Sequence, residues 1–477
     1  MSGPPTPSES RFKIPAPLQR SREHSRTPSM RSTTSTLLDR DGRVLSEVGG
    51  EGEEVPLDLL QSLYLSSPLS PPPDALSFPS VEPTDPSGLT SPTAAGFSSI
   101  NNPAAHSRTT SISSERYAPQ HVPNWPSAVA FTSRTTFPPV KKLPRGQKKR
   151  ILVTGGAGFV GAHLVDRLLF LGHDVVVLDN FFSGSKSTLS HWVGHPNFEL
   201  VRGDVVEPLL VEVDQIYHLA CPASPKAYQR NAVKTLKTSF MGTLNMLGLA
   251  KRTKARFLLS STSEVYGSPT VHPQTEDYWG NVNPNGPRSC YDEGKRVAEA
   301  LTYGYARQDG VDVRVARIFN CFGPRMSTDD GRLVSNFAVA ALKGELLQIY
   351  GDGEATRSLM FVHDLVSGLI ALMESSYSAG PVNIGTSDEG TVSSWAQLIL
   401  RLVSQMRAEG EIAPLPAGAK ESEIVYVESV VDDPPRRKPD ITRAREELGW
   451  SPKWTVEAGM RETLRYFSRQ LEEGHDA

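Results

Sequence analysis

From Arg150 onward, short apolar runs alternate with longer stretches whose apolar residues recur every three or four positions. Ile151 to Thr154 read as a buried strand. A helix is predicted from near Phe159 to about Leu171, with Val160, Leu164, Leu168 and Leu169 on its buried side. Val175 to Leu178 form the next strand, "IYHLACPAS" closes a fourth, and Arg256 to Leu259 begin another. This alternation predicts a parallel sheet wrapped by helices, an α/β fold. Residues 1 to about 145 lack such periodicity and are dominated by Ser, Pro, Thr and Gly. A stretch of that kind buries too little apolar surface to offset its ordering entropy, so a disordered tail is expected there. "SRTPSMRS" and "SRTTSISS" set serines and threonines near arginines, as basophilic kinases require.

Composition narrows the class. A formal net charge of −3 over 477 residues gives no reason to expect a nucleic-acid or membrane-surface partner. Cys221, Cys290 and Cys321 lie far apart without ligand-like spacing, which predicts neither a disulfide framework nor a metal site and fits a reducing compartment. No apolar run reaches the ~18–20 residues that a membrane span needs, and no signal-peptide core is seen. A cytoplasmic location without a membrane span is the expectation.

The strongest local signal is "RILVTGGAGFVGAHLVDRLLFLGHDVVVLDN". Gly155, Gly158 and Gly161 follow a strand and lead into a helix, where backbone N–H groups can approach a pyrophosphate. The next strand ends at Asp179, a carboxylate placed to accept both ribose hydroxyls of NAD and to repel the 2′-phosphate of NADP. This is a Rossmann-type, doubly wound signature. The expected cofactor contacts are Gly155, Gly158, Phe159, Val160 and Gly161, then Asp179, Asn180 and Phe181. Asp204 and Val205 follow a further strand near the adenine, and Leu219 closes the fourth. His218, which ends that hydrophobic strand, reads as a packed structural residue.

"SSTSEVYG" (260–267) crowds hydroxyls and one acid onto a strand end. Tyr291 and Lys295, in "CYDEGKRVAEA", stand four residues apart on a predicted helix and share a face. A nearby ammonium lowers a phenol's pKa, which equips Tyr291 to take a proton from an alcohol while hydride passes to NAD.

Together, TGGAGFVG, SSTSEVYG and YDEGK resemble the extended short-chain dehydrogenase/reductase family, and within it the UDP-glucuronate decarboxylases (EC 4.1.1.35). The likeness runs from about Arg150 to Glu472 and includes "DGRLVSNF", "RVARIFNCFGPRM" and "DDPPRRKPDI". It implies one catalytic unit over 150–472, an NAD lobe with an interleaved, smaller C-terminal α/β lobe for the UDP-sugar. It implies that Thr262 assists Tyr291 and Lys295 at the sugar 4-hydroxyl, and that tightly held NAD is recycled. Glu264, with Ser263 beside it, is implied near C5, either positioning water or transferring a proton with Arg437. Related 4,6-dehydratases carry an aspartate where Ser263 stands, so its loss favours decarboxylation over water elimination. Arg437 is implied at the sugar carboxylate; Asn320, Arg332, Asn336 and Arg357 are implied at the diphosphate, ribose or uracil. The family's dimers predict a homodimer built on the helix from near Thr238 and the helix carrying Tyr291. A UDP-sugar 4-epimerase, a 4,6-dehydratase and a non-catalytic NAD-binding scaffold are the alternatives.

Overall fold

Within β1 (Arg150–Thr154), Ile151 and Val153 join one apolar cluster and Leu152 joins another. The next strand, β2 (Asp174–Asp179), repeats the division, with Val175 and Val177 on one side and Val176 and Leu178 on the other. A strand covered on both faces needs apolar residues at every position, which is why these runs do not alternate. The computed structural model describes residues 137–416, 418–429 and 434–474. Residues 1–136, most of the expected tail with its arginine-flanked serines, lie outside the described residues. At the start of the described part, the Phe137 ring packs edge-on against His195, and the Lys141 N–H donates to the Phe170 carbonyl.

Five more strands complete the main sheet: β3 (Phe198–Arg202), β4 (Gln215–His218), β5 (Arg256–Thr262), β6 (Val313–Ile318) and β11 (Val382–Ile384). Their order is β11-β6-β5-β4-β1-β2-β3, and every neighbouring pair is parallel. Helices α1 (Phe159–Phe170) and α7 (Val362–Glu374) cover one face through Leu164, Leu168, Leu365 and Leu369. Helices α4 (Thr243–Thr253) and α5 (Ser289–Asp309) cover the other through Met246, Leu247 and Ala298. Val160 differs from expectation: it is half-buried and lines the cleft, because the first turn of α1 faces the cleft. Strand order reverses between β1 and β4, and a crevice opens there at the carboxyl ends of the strands.

Three small sheets build the C-terminal lobe. β7 (Cys321–Phe322) pairs with β10 (Met360–Phe361), and β8 (Leu347–Tyr350) pairs with β13 (Ile424–Val427). Strand β9 (Thr356–Ser358) lies between β12 (Glu389–Thr391) and β14 (Arg436–Arg437). The parallel β9–β14 register sets Arg357 opposite Arg437. Helices α6 (Leu333–Lys343), α8 (Val392–Ala408) and α9 (Val456–Glu472) pack against one another behind these strands.

Candidate active site

A cleft of about 1670 Å³ runs along the crevice. On one side, the turn after β1 brings α1 so close that a Cβ at Gly161 would stand 2.1 Å from the Gly155 carbonyl oxygen. Gly158, the N-cap of helix α1, supplies no side-chain cap, so the first N–H groups of the helix lie beside the cleft unclaimed by any capping side chain. At the end of β2, Asp179 accepts the Ala157 N–H at 2.9 Å and the Phe181 N–H at 2.8 Å, one on each oxygen. Each oxygen keeps a second lone pair for a ribose hydroxyl. Burial pushes the Asp179 pKa up, against those two hydrogen bonds. An uncapped helix N-terminus facing an acid that ends the adjacent strand fits a dinucleotide such as NAD.

Phe159, Val160, Asn180, Val205 and Leu219 line this side with the glycines. Asp204 and Phe181 are not part of the wall. Asp204 accepts from Asn180 at 2.8 Å and pairs with Lys234 of α3 (Ala232–Lys237) at 2.8 Å. Burial opposes its charge, but these partners hold its pKa below the usual carboxylate range. The Phe181 ring lies under the Lys186 ammonium.

The opposite side holds the proton-handling groups. β5 ends at Thr262, and a single 3-10 turn, Ser263–Tyr266, follows. Thr262 Oγ1 accepts the Glu264 N–H at 3.3 Å, and Thr262 lines the cleft together with Tyr291. Tyr291 and Lys295 lie on one face of α5, and Lys295 Nζ donates to the Ser260 carbonyl at 2.8 Å. A buried brace joins α5 to β5 at this point: Glu299 accepts from Ser261 at 2.5 Å and from both Nε and Nη2 of Arg317. Burial raises the Tyr291 pKa well above the ordinary phenol value. The expected lowering by Lys295 therefore does not prevail; Arg332 and Thr262 are the groups that pull the value down.

Glu264 is the most heavily contacted acid in the cleft. Arg437 donates to its two oxygens at 2.8 and 2.9 Å, and Arg288 pairs with Oε1 at 2.6 Å. Burial works against its ionisation, yet Arg437 and Arg288 keep its pKa below the ordinary value. Ser263, Asn320, Arg332, Asn336 and Arg357 also line the cleft. Arg332 donates to the Ala223 carbonyl, Asn336 Nδ2 to the Gly331 carbonyl at 3.3 Å, and Arg357 Nη1 to the Thr356 carbonyl at 2.8 Å.

Sequence reasoning missed two wall residues. Arg288 stands three residues before Tyr291, a helical spacing that was there to be read. Tyr228, on α2 (Pro225–Arg230), stacks on the Tyr291 ring at 5.3 Å and 9°, and no local motif marked it. His218 bonds through both ring nitrogens, to Thr154 at 2.8 Å and Thr243 at 3.2 Å. Burial, then Lys295, pushes its pKa down to about 3, so it is a neutral structural residue.

A family model described as GDP-mannose 4,6 dehydratase matches residues 152–463. UDP-glucuronic acid decarboxylase 1 of Danio rerio is 57% identical over 344 residues, 72% of this chain and 78% of that protein. Among solved structures, UDP-glucose 4-epimerase from Thermotoga maritima with UDP-glucose superposes with a TM-score of 0.60 at 30% identity, covering 68% of this chain and 99% of that one. UDP-glucuronic acid 4-epimerase from Bacillus cereus, in complex with UDP-glucuronic acid and NAD, gives 0.58 at 25% identity, covering 68% and 99%. The glycine turn, the acid ending β2, and the paired tyrosine and lysine therefore sit on a chain that belongs to the extended short-chain dehydrogenase/reductase family, among its UDP-glucuronic acid decarboxylases.

Proposed function

We propose that this protein converts UDP-glucuronate to UDP-xylose and CO2 in one catalytic unit, residues 150–472, with NAD held in the cleft and regenerated in each turnover. The observation that carries this reading is the Glu264–Arg437 fork beside Thr262 and Tyr291, with Ser263 where a dehydratase would need an acid. The names and bound ligands of the similar proteins point the same way.

The chain's own groups divide the work. When bound between the α1 N-terminus and Asp179, NAD supplies a hydride acceptor and donor for sugar C4, so that C4 is a ketone while the neighbouring carboxylate leaves. Tyr291, which shares the cleft wall with Thr262, removes the proton of the 4-hydroxyl and returns it at the end. Lys295, anchored on the Ser260 carbonyl, adds a positive charge on the same helix face. During CO2 loss the electron pair passes toward the C4 oxygen, where Tyr291 and Thr262 supply hydrogen bonds. Arg437 meets the sugar carboxylate, since a guanidinium can grip it through two parallel hydrogen bonds. Glu264 orients that guanidinium and is placed to guide a proton to C5. Asn320, Arg332, Asn336 and Arg357 take the nucleotide.

Incubating the purified chain with NAD and UDP-glucuronate tests this. Mass spectrometry should find UDP-xylose with one CO2 per turnover. Formation of UDP-galacturonate without CO2, or turnover of UDP-glucose instead, would overturn the proposal.

The same reading includes a homodimer. Val233, Leu236, Phe240 and Met241 are exposed along α3 and the π-helical turn that joins it to α4, and Val297 is exposed on α5. Two copies of these helices would bury them as a four-helix bundle. The helix begins at Ala232, six residues before the expected Thr238. A cytoplasmic location is part of the proposal, supported by three free thiols. Among the described residues no helix is long and apolar enough to cross a membrane, and no group of side chains is arranged to hold a metal.

A further inference from the structure

Behind the wall of the cleft, Asp292 is an acid for which the scheme above has no use. It follows Tyr291 on the first turn of α5, with its N–H bonded to the Arg288 carbonyl at 3.1 Å. Its side chain is buried, the residue being only 7% exposed, and Oδ1 has no hydrogen-bond partner among the described residues. Four charges act on it: Glu264 from the 3-10 turn after β5 and Glu293 from its own helix repel its charge, while Arg288 and Arg437 attract it. Tyr228 of α2 and Cys290 complete its titratable surroundings.

Charge counting shows what this arrangement demands. Glu264 and Asp292 together balance Arg288 and Arg437, while Arg357 and Arg332, which also act on Glu264, answer the diphosphate in the reading above. A substrate carboxylate at Arg437 adds a third negative charge beside Arg288 and Arg437, two largely shielded cations, and an unbalanced charge in such a place is costly. One carboxylate must then become neutral. Glu264 is the poor choice, because protonation would weaken three charge-assisted hydrogen bonds. Asp292 has an oxygen without a partner, so a proton there sacrifices nothing.

We infer that Asp292 is a positioning residue that takes up a proton as the sugar carboxylate reaches Arg437, keeping Glu264 ionised and in place. The inference rests on the UDP-glucuronate reading. The pKa of Asp292, pushed up to about 7 by burial and then by Glu264, agrees with it. The proton comes from solvent on binding. Once CO2 has left and C5 has taken its own proton from water, the extra charge is gone and Asp292 releases its proton again.

Proton uptake can be measured directly. The Tyr291→Phe variant, in which turnover is expected to be slowed roughly 10²–10⁴-fold, is titrated with UDP-glucuronate at pH 8 by calorimetry in phosphate and in Tris. The difference between the buffers gives the protons taken up, and close to one per site is expected. UDP-xylose, which has no carboxylate, should take up none. In the Tyr291→Phe, Asp292→Asn protein the uptake with UDP-glucuronate should vanish. In the enzyme with Tyr291 intact, the apparent affinity for UDP-glucuronate should fall by up to about tenfold per pH unit above neutrality, and Asp292→Asn should flatten that slope. Unchanged uptake in the Asn protein overturns the inference. So does equal uptake with the two sugars, which needs no variant at Asp292 and decides the matter if Asp292→Asn does not fold. Absence of any binding heat with UDP-glucuronate would instead remove the functional reading, and this inference with it.

Discussion

Arg437 holds Glu264 with both arms of its guanidinium, at 2.8 and 2.9 Å, although the two residues are 173 positions apart. Glu264 lies on the 3-10 turn that follows β5; Arg437 sits on a two-residue strand of the C-terminal lobe. Only 7% of the Arg437 side chain and 12% of the Glu264 side chain are exposed, so each holds the other in one orientation.

Arg437→Lys keeps a charge but loses the planar fork. Steady-state CO2 release should fall by roughly 10²-fold, the scale of a lost preorganised donor pair, with NAD affinity unchanged. Fluorescence titration of NAD alongside a CO2 assay separates the two effects. Near-normal turnover would show that the fork does not matter to chemistry.

Arg437→Met tests the pair as a structural element. Glu264 would lose its bidentate partner while keeping the Arg288 pair, and breaking a buried pair costs on the order of 3–5 kcal/mol. The sign with pH follows from the depressed Glu264 pKa. The stability it contributes is present above its unfolded value of about 4.3 and is lost as pH falls through the folded value. Urea unfolding at pH 7.5 and pH 4 should therefore differ less in the variant than in the parent.

Removing the phenol hydroxyl in Tyr291→Phe should slow product formation by roughly 10²–10⁴-fold, the usual range for a lost general base. The stacking on Tyr228 uses only the ring, so the melting temperature should barely change. Full activity would assign the base elsewhere.

Asp179→Ala should weaken NAD by at least about tenfold and narrow the preference over NADP. It also strips an acceptor from two backbone N–H groups, which costs roughly 1–3 kcal/mol apiece where they are buried. Isothermal titration with each cofactor, together with thermal melts, checks both parts.

Below neutrality, His218 should make the fold acid-sensitive. Its folded pKa, about 3, lies under the unfolded value of 6.5, so its stabilising contribution is complete above pH 6.5 and lost as pH falls toward 3. Burial lowers His363 to about 4, which acts in the same direction. Calorimetric melts of His218→Gln between pH 7 and pH 4 should show a shallower decline than the parent.

Substituting Leu236 and Phe240 with glutamate should turn a dimer into a monomer, read by sedimentation velocity. Unchanged mass would remove the bundle proposed above.

The sequence by itself determined the NAD lobe and the chemistry along its two ends. The apolar runs, the glycine turn, Asp179, the hydroxyl-rich strand end and the Tyr291–Lys295 spacing are all short-range signals, and backbone geometry turns such spacing directly into position. Only the tertiary structure could decide that Arg437 grips Glu264, that Tyr228 covers Tyr291, that Asp204 is occupied by Lys234, and that Asp292 Oδ1 has no hydrogen-bond partner among the described residues. Each of these is an encounter between segments far apart in the chain, or an absence of one, and no local pattern encodes it. The phenol shows the same division. Its helical neighbour Lys295 was legible and suggested a lowered pKa, whereas burial, a property of the whole fold, raised it.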